Sequence, residues 1–202
     1  MITSGESGDG KTYFCVNLAG VYAMASPKTL LVDMDIRKPS IVKRFNINQA
    51  EGVTNYLIGQ SELDDVILKL PGVDFDILPA GTVPPNSGEL IRSEKLVDMF
   101  KELRTRYDYI IVDTSPIGVV ADAYSLAFQS DINLYIVRND KTNKSFFKKI
   151  TTQLKLDKIP HMYTVINDVS VEENRYSKYY SKKYTYGYGY GYGYGYTGGG
   201  SR

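Results

Sequence analysis

Tryptophan is absent from these 202 residues, and histidine and cysteine occur once each. A single thiol, Cys15, excludes an intrachain disulfide and fits a reducing compartment, so its expected role is that of a small buried residue on a helix. A lone His161 excludes a histidine-based metal cluster and is expected at the edge of a strand. No apolar run approaches the ~18 residues that a membrane span needs, and no signal peptide opens the sequence. Acids stop at Glu173, whereas Arg175, Lys178, Lys182, Lys183 and Arg202 follow it. The net charge of +1 therefore conceals a body of −4 and a tail of +5.

That acid-free tail is where the tyrosines gather. Residues 174–202 hold ten of the 18 tyrosines and eight of the 18 glycines, ending in KKYTYGYGYGYGYGYTGGGSR. Tyrosine is the only apolar residue type there, so the segment buries too little surface to offset its ordering entropy and is expected to be disordered. Alternation with glycine also argues against a strand, since one face is left bare.

Residues 1–173 fall within the size range of one domain. Short apolar runs alternate with helical patterns, which predicts an α/β fold with a mostly parallel sheet flanked by helices. Strands are expected at 29–33, 75–81, 109–115, 132–137 and 162–167, and helices near 11–25, 94–106, 119–128 and 143–156. Several of these strands are apolar on both faces, as buried parallel strands are. Phe14, Leu18, Val21 and Tyr22 form the expected apolar stripe of the first helix, and Leu96, Met99, Phe100 and Leu103 that of the second. The stretch PAGTVPPNSGEL reads as a surface loop. Met1 to Ser4 are too few for a comfortable central strand, a start that suggests a piece of a longer protein whose remainder could hold a membrane anchor.

GESGDGKT, residues 5–12, matches the phosphate-binding pattern GxxxxGK[ST] at every fixed position and opens a helical pattern. Glycines let backbone N–H groups turn inward around phosphates, and the helix N-terminus adds a positive end. Gly8, Asp9, Gly10, Lys11, Thr12 and Tyr13 are the expected nucleotide cradle, with Lys11 reaching the terminal phosphates and Thr12 the magnesium. Asp33 and Asp35, in LLVDMDIRKP, lie at the carboxyl end of a buried strand, where ligands bind in open α/β sheets. Asp113, in YIIVDTSP, ends another apolar strand, the expected place for a carboxylate of the magnesium shell. Such acids also serve as helix caps. Three of them beside a phosphate loop point instead to a site for a nucleotide's phosphates and its magnesium.

In this order, GESGDGKT, LLVDMDIRKP and YIIVDTSP resemble the Walker A, Walker A′ and Walker B motifs of the bacterial tyrosine kinases (BY-kinases). These are the cytoplasmic kinase domains of the capsule and exopolysaccharide, or polysaccharide co-polymerase, family. EGVTNYLIGQ and the run DILPAGTVPPNSGELIRSEKLVDMFKELRTRYDYIIVDTSP are similar as well, so the resemblance covers most of residues 1–168. The tail resembles the family's C-terminal tyrosine cluster, which its members phosphorylate on one another, although here the glycine spacing is unusually regular.

The resemblance implies a P-loop NTPase-like fold and an autophosphorylating protein-tyrosine kinase that regulates capsule or exopolysaccharide assembly and export. It implies that Lys11 and magnesium neutralise the γ-phosphate, that Thr12, Asp35 and Asp113 serve the metal, and that Asp33 orients or deprotonates the incoming tyrosine. The roles of Asp33 and Asp35 are open to exchange. Arg37 is a phosphate contact or a surface arginine, and Asn167 an adenine-reading residue or a turn residue. The implied acceptors are Tyr176, Tyr179, Tyr180, Tyr184, Tyr186, Tyr188, Tyr190, Tyr192, Tyr194 and Tyr196. Implied partners are other copies in a ring-like homo-oligomer with trans-phosphorylation, a membrane-spanning co-polymerase part or adaptor, and a tyrosine phosphatase. The implied location is the cytoplasmic side of the inner membrane, with the fragment itself soluble. The arginine-rich helix that family members carry ahead of the phosphate loop has no counterpart in this sequence.

Deviant-Walker ATPases of the chromosome-partitioning and septum-positioning type share that fold and are the alternative: a nucleotide-dependent partner switch without kinase activity. They resemble xKGGxGKT, with a signature lysine where this sequence has Ser7. A eukaryotic-type kinase is not expected, since the sequence has no HRD or DFG segment. Nucleic acid is not expected as a partner, because the basic residues precede the glycine–tyrosine repeat instead of interleaving with it.

Overall fold

The computed structural model describes residues 1–48, 51–83 and 87–169, so the ten tail tyrosines lie outside the described residues. Leu30, Leu31 and Val32 are each fully buried, which a strand achieves only when both faces of its sheet are covered. The strands are β1 (Ile2–Ser4), β2 (Thr29–Met34), β3 (Asp76–Leu78), β4 (Tyr109–Thr114), β5 (Asn133–Arg138) and β6 (Met162–Asn167). They form one sheet in the order β3-β2-β4-β1-β5-β6, with every neighbouring pair parallel. The longer helices are α1 (Lys11–Ala25), α6 (Glu94–Arg106), α7 (Asp122–Gln129) and α8 (Lys144–Leu156). Four shorter ones, α2 (Ile41–Arg44), α3 (Val53–Leu57), α4 (Leu63–Val66) and α5 (Ser87–Ile91), fall between β2 and α6.

Alternation along each strand divides the core in two. Ile2, Leu31, Ile77, Ile111 and Ile136 join Cys15, Ala19 and Ala23 of α1 on one face. Leu30, Val32, Leu78, Val112 and Tyr135 meet Leu96, Met99 and Leu103 of α6, Leu126 of α7, and Ile150 and Leu154 of α8 on the other. Asn143 caps α8 by accepting from the Phe146 N–H at 3.0 Å, and Ser93 caps α6 through the Leu96 N–H at 3.2 Å.

Three expectations from the sequence are corrected. The buried line of α1 is Cys15, Ala19 and Ala23, and Val21 faces solvent. Small side chains let the helix lie close to the sheet, while Phe14, Leu18 and Tyr22 splay along the margins of the contact. Ile2–Ser4, although three residues long, is a central strand. Side chains supplement its short ladder: Thr3 Oγ1 donates to the Ser115 carbonyl at 3.1 Å, and Thr114 Oγ1 to the Ile2 carbonyl at 2.9 Å. The strand expected at 75–81 stops at Leu78. Pro79 has no N–H for a ladder, and the Pro79 and Ala80 carbonyls accept instead from Val53 and Thr54 of α3 at 2.8 and 3.0 Å.

A cavity of about 330 Å³ lies among Met1, Tyr22, Phe100, Tyr109 and Leu134. It sits at the amino ends of β1, β4 and β5, opposite the end that carries the phosphate loop.

Candidate active site

The loop between β1 and α1 holds its shape through two left-handed glycines, Gly8 at φ 97° and Gly10 at φ 95°. A Cβ at Gly10 would stand 2.3 Å from Asn167 Nδ2, so glycine is required there by contact as well as by dihedral angle. Neighbouring strand ends brace the loop. Asn167 Nδ2 donates to the Asp9 carbonyl at 3.0 Å, and Arg138 donates to the Gly8 carbonyl at 3.2 Å while pairing with Asp168 at 2.8 Å. Asp9 is buried, accepting from Thr142 Oγ1 at 2.9 Å and the Glu6 N–H at 3.3 Å.

Behind the loop, β2 and β4 lie in register with Asp33 opposite Asp113. Thr12 Oγ1 donates to Asp113 Oδ2 at 2.5 Å and lies 3.0 Å from Ser40 Oγ. Lys11 Nζ stands 3.9 Å from Asp35 Oδ2, and Ser115 Oγ donates to Asp35 Oδ1 at 2.6 Å. Asp33 is fully buried and accepts from the backbone N–H groups of Asp35, Ser40 and Ile41 at 3.1 to 3.3 Å.

Burial pushes the Asp33 carboxyl up to about 7, and the nearby Asp113 charge adds to this against its backbone donors. Asp113 is also raised, chiefly by burial, with Lys11 and the Thr12 hydroxyl acting in the opposite direction. Cys15, behind it, is an inert thiol raised well above its ordinary range by burial and by Asp113.

These residues fit a magnesium–nucleotide pair. Asp113 Oδ1 is buried without a hydrogen-bond partner, beside a hydroxyl and a second carboxylate, all hard oxygen donors. Among the described residues no three acidic, imidazole or thiol side chains converge on one metal position. Magnesium commonly takes one or two carboxylates and completes its shell with phosphate and water.

Of the residues expected from the sequence, the structure thus brings together Lys11, Thr12, Asp33, Asp35 and Asp113, and sets Asn167 against Asp9 and Gly10. Tyr13 instead faces outward under the Arg44 guanidinium, 5.1 Å from its ring centroid, and Arg37 is exposed. Ser40, Ser115, Arg138 and Thr142 were not anticipated. Ser115 stands in the YIIVDTSP motif itself, two residues beyond Asp113, and offered a signal; the other three carry none without the fold.

A family model described as an AAA domain matches residues 2–140. The putative tyrosine-protein kinase CapB of Staphylococcus aureus is 35% identical over 180 residues, covering 89% of this chain and 79% of the relative. Among solved structures, the VpsO kinase domain is 34% identical with a TM-score of 0.79, covering 84% of each chain. The kinase domain of the Escherichia coli tyrosine kinase ETK is 27% identical with a TM-score of 0.80, covering 96% of this chain and 72% of that one. The septum site-determining protein MinD of Pyrococcus horikoshii, complexed with Mg-ADP, shares the fold at 23% identity and a TM-score of 0.68, covering 85% and 70%. The loop, the paired carboxylates and these likenesses agree: the chain belongs to the bacterial tyrosine kinase family.

Proposed function

We infer that this protein transfers the γ-phosphate of ATP to tyrosines of its own C-terminal tail and of neighbouring copies. The observation that carries this reading is the Thr12–Asp113 contact, with Asp113 Oδ1 left open beside it. A hydroxyl paired with a carboxylate at the mouth of a phosphate loop, with one carboxylate oxygen open, supports a site for a nucleotide's metal. Bound magnesium would neutralise charge on the β- and γ-phosphates.

Lys11 is assigned to the transferring phosphoryl group, and Asp35, held by Ser115, to the metal shell together with Thr12 and Asp113. The tyrosine oxygen attacks the γ-phosphorus in line, the bond to ADP breaks, and Asp33 takes the phenolic proton. A carboxyl poised near neutrality suits that task. Because Asp33 is enclosed, the Ser40–Ile41 segment must release it as substrate enters. Gly8, Asp9, Gly10 and, through its backbone N–H in the first turn of α1, Tyr13 are assigned to the nucleotide cradle, and Asn167 and Arg37 to the base and phosphate.

Each phosphotyrosine adds about −1.5 to −2, so full modification turns the tail from +5 to strongly negative and repels it from the acidic body. That repulsion ejects the tail from neighbouring sites and loosens a ring-like assembly. The remaining partners we assign are a membrane-spanning co-polymerase part or adaptor and a tyrosine phosphatase, at the cytoplasmic face of the inner membrane. Among the described residues no helix is long and apolar enough to cross a membrane.

Incubation with Mg-ATP, alongside Lys11→Met, followed by mass spectrometry of the tail, tests the reading. Phosphate on tail tyrosines of the parent alone supports it. ATP turnover without phosphotyrosine, even with a membrane-adaptor fragment added, favours the switch ATPase.

A further inference from the structure

Tyr135 is fully buried at the centre of β5, its ring 5.6 Å from that of Phe147 on α8. Its hydroxyl has no hydrogen-bond partner among the described residues. Burial pushes it up to about 12, and the neighbouring Asp9 and Glu6 act in the same direction, so it remains a donor throughout the neutral range. A tyrosine buried this deeply normally finds an acceptor for its O–H. The hydroxyl lies directly beneath the start of the phosphate loop: a Cβ added at Gly5 would meet it at 2.4 Å. Phe146 closes the same space, 3.2 Å from that Cβ position. Gly118 closes it from the other side, since a Cβ there would meet the Gly5 carbonyl at 2.5 Å.

We propose that Tyr135 is a positioning residue for the phosphate loop, its hydroxyl gaining an acceptor on the Gly5–Asp9 segment when nucleotide phosphates draw the loop's N–H groups inward. This rests on the nucleotide site proposed above. In the free protein the unpaired hydroxyl destabilises the core; in the bound protein it is satisfied. Ligand binding therefore gains what the free state lacks, by linkage. Tyr135 is not among the residues assigned to the metal or to the transfer, and acts through the loop.

The test is calorimetric titration of the full chain with Mg-ADP, paired with urea denaturation of the free protein. Tyr135→Phe is expected to weaken Mg-ADP binding about tenfold while the denaturation midpoint of the free protein holds or rises. Unchanged affinity, or affinity and midpoint falling together, overturns the proposal. A second variant guards against a folding defect. Gly5→Ala is expected to impair binding in the parent, and to do so far less beside Tyr135→Phe, where the 2.4 Å contact is gone. Additive effects of the two substitutions overturn the assignment. A parent that binds no Mg-ADP overturns both this proposal and the nucleotide site. A parent that binds Mg-ADP but, given Mg-ATP and a membrane-adaptor fragment, leaves its tail tyrosines unphosphorylated overturns the kinase reading alone.

Discussion

Thr12 and Asp113 are 101 residues apart in sequence and 2.5 Å apart at their side-chain oxygens. The contact joins the first turn of α1 to the end of β4 and leaves the second carboxylate oxygen, Oδ1, unpaired. Asp113→Asn keeps the shape and removes the charge that a metal shell requires. Autophosphorylation is expected to fall at least about a hundredfold, about 3 kcal/mol of transition-state stabilisation. Thr12→Ser, which retains the hydroxyl, keeps most of the activity, and Thr12→Ala does not. Quantitative phosphotyrosine mass spectrometry at saturating Mg-ATP reads all three.

Asp33 makes the free protein sensitive to pH. Its folded value, about 7, exceeds the ordinary 3.8, so between those values the folded state binds more protons than the unfolded one. Stability is then fully present below about pH 4 and falls as pH rises through 7. Urea denaturation without nucleotide, in a chelator, should show a loss of about 3 kcal/mol from this group between pH 5 and 8. Asp33→Asn is expected to flatten that slope and to raise the midpoint at pH 8. An identical slope in the variant would place the titration elsewhere.

Much of this architecture is legible in the sequence because it rests on long-range alternation and a complete loop motif. The helix over 11–25 and the three acids at strand ends need no tertiary information. The face that α1 buries is another matter. Hydrophobicity favours Phe14, Leu18 and Val21, but close approach to the sheet favours Cys15, Ala19 and Ala23. The helices α2 to α5 span four or five residues each, too few for a 3.6-residue period to emerge. Arg138 and Thr142 reach the phosphate loop only because the strand order sets β5 beside β1. Neither carries a local signature.

Gly10 meets two independent demands, a φ of 95° and a close approach by Asn167. Gly10→Ala is expected to abolish measurable Mg-ADP binding and to cost the free protein about 1–3 kcal/mol. Adding Asn167→Ala removes the steric part and leaves the dihedral strain, so stability recovers partially while binding stays weak. Full recovery of binding in the double variant would show that the loop tolerates alanine there and that Asn167 alone excluded it.

Ser115 tests whether Asp35 needs its orientation. Ser115 Oγ fixes Oδ1 at 2.6 Å, while Oδ2 faces Lys11 at 3.9 Å. Charge attraction at the longer distance supplies little directional control, whereas a short hydrogen bond to a buried carboxylate holds its plane. Ser115→Ala is expected to lower kcat for tail phosphorylation about tenfold, with the KM for ATP changing less than threefold and the denaturation midpoint nearly constant. Ser115→Thr keeps the donor and should recover most of the rate if its extra methyl fits beside Asp35. A rise in KM with kcat unchanged would instead make Ser115 a contributor to nucleotide binding, and Asp35 would no longer depend on it for orientation during transfer.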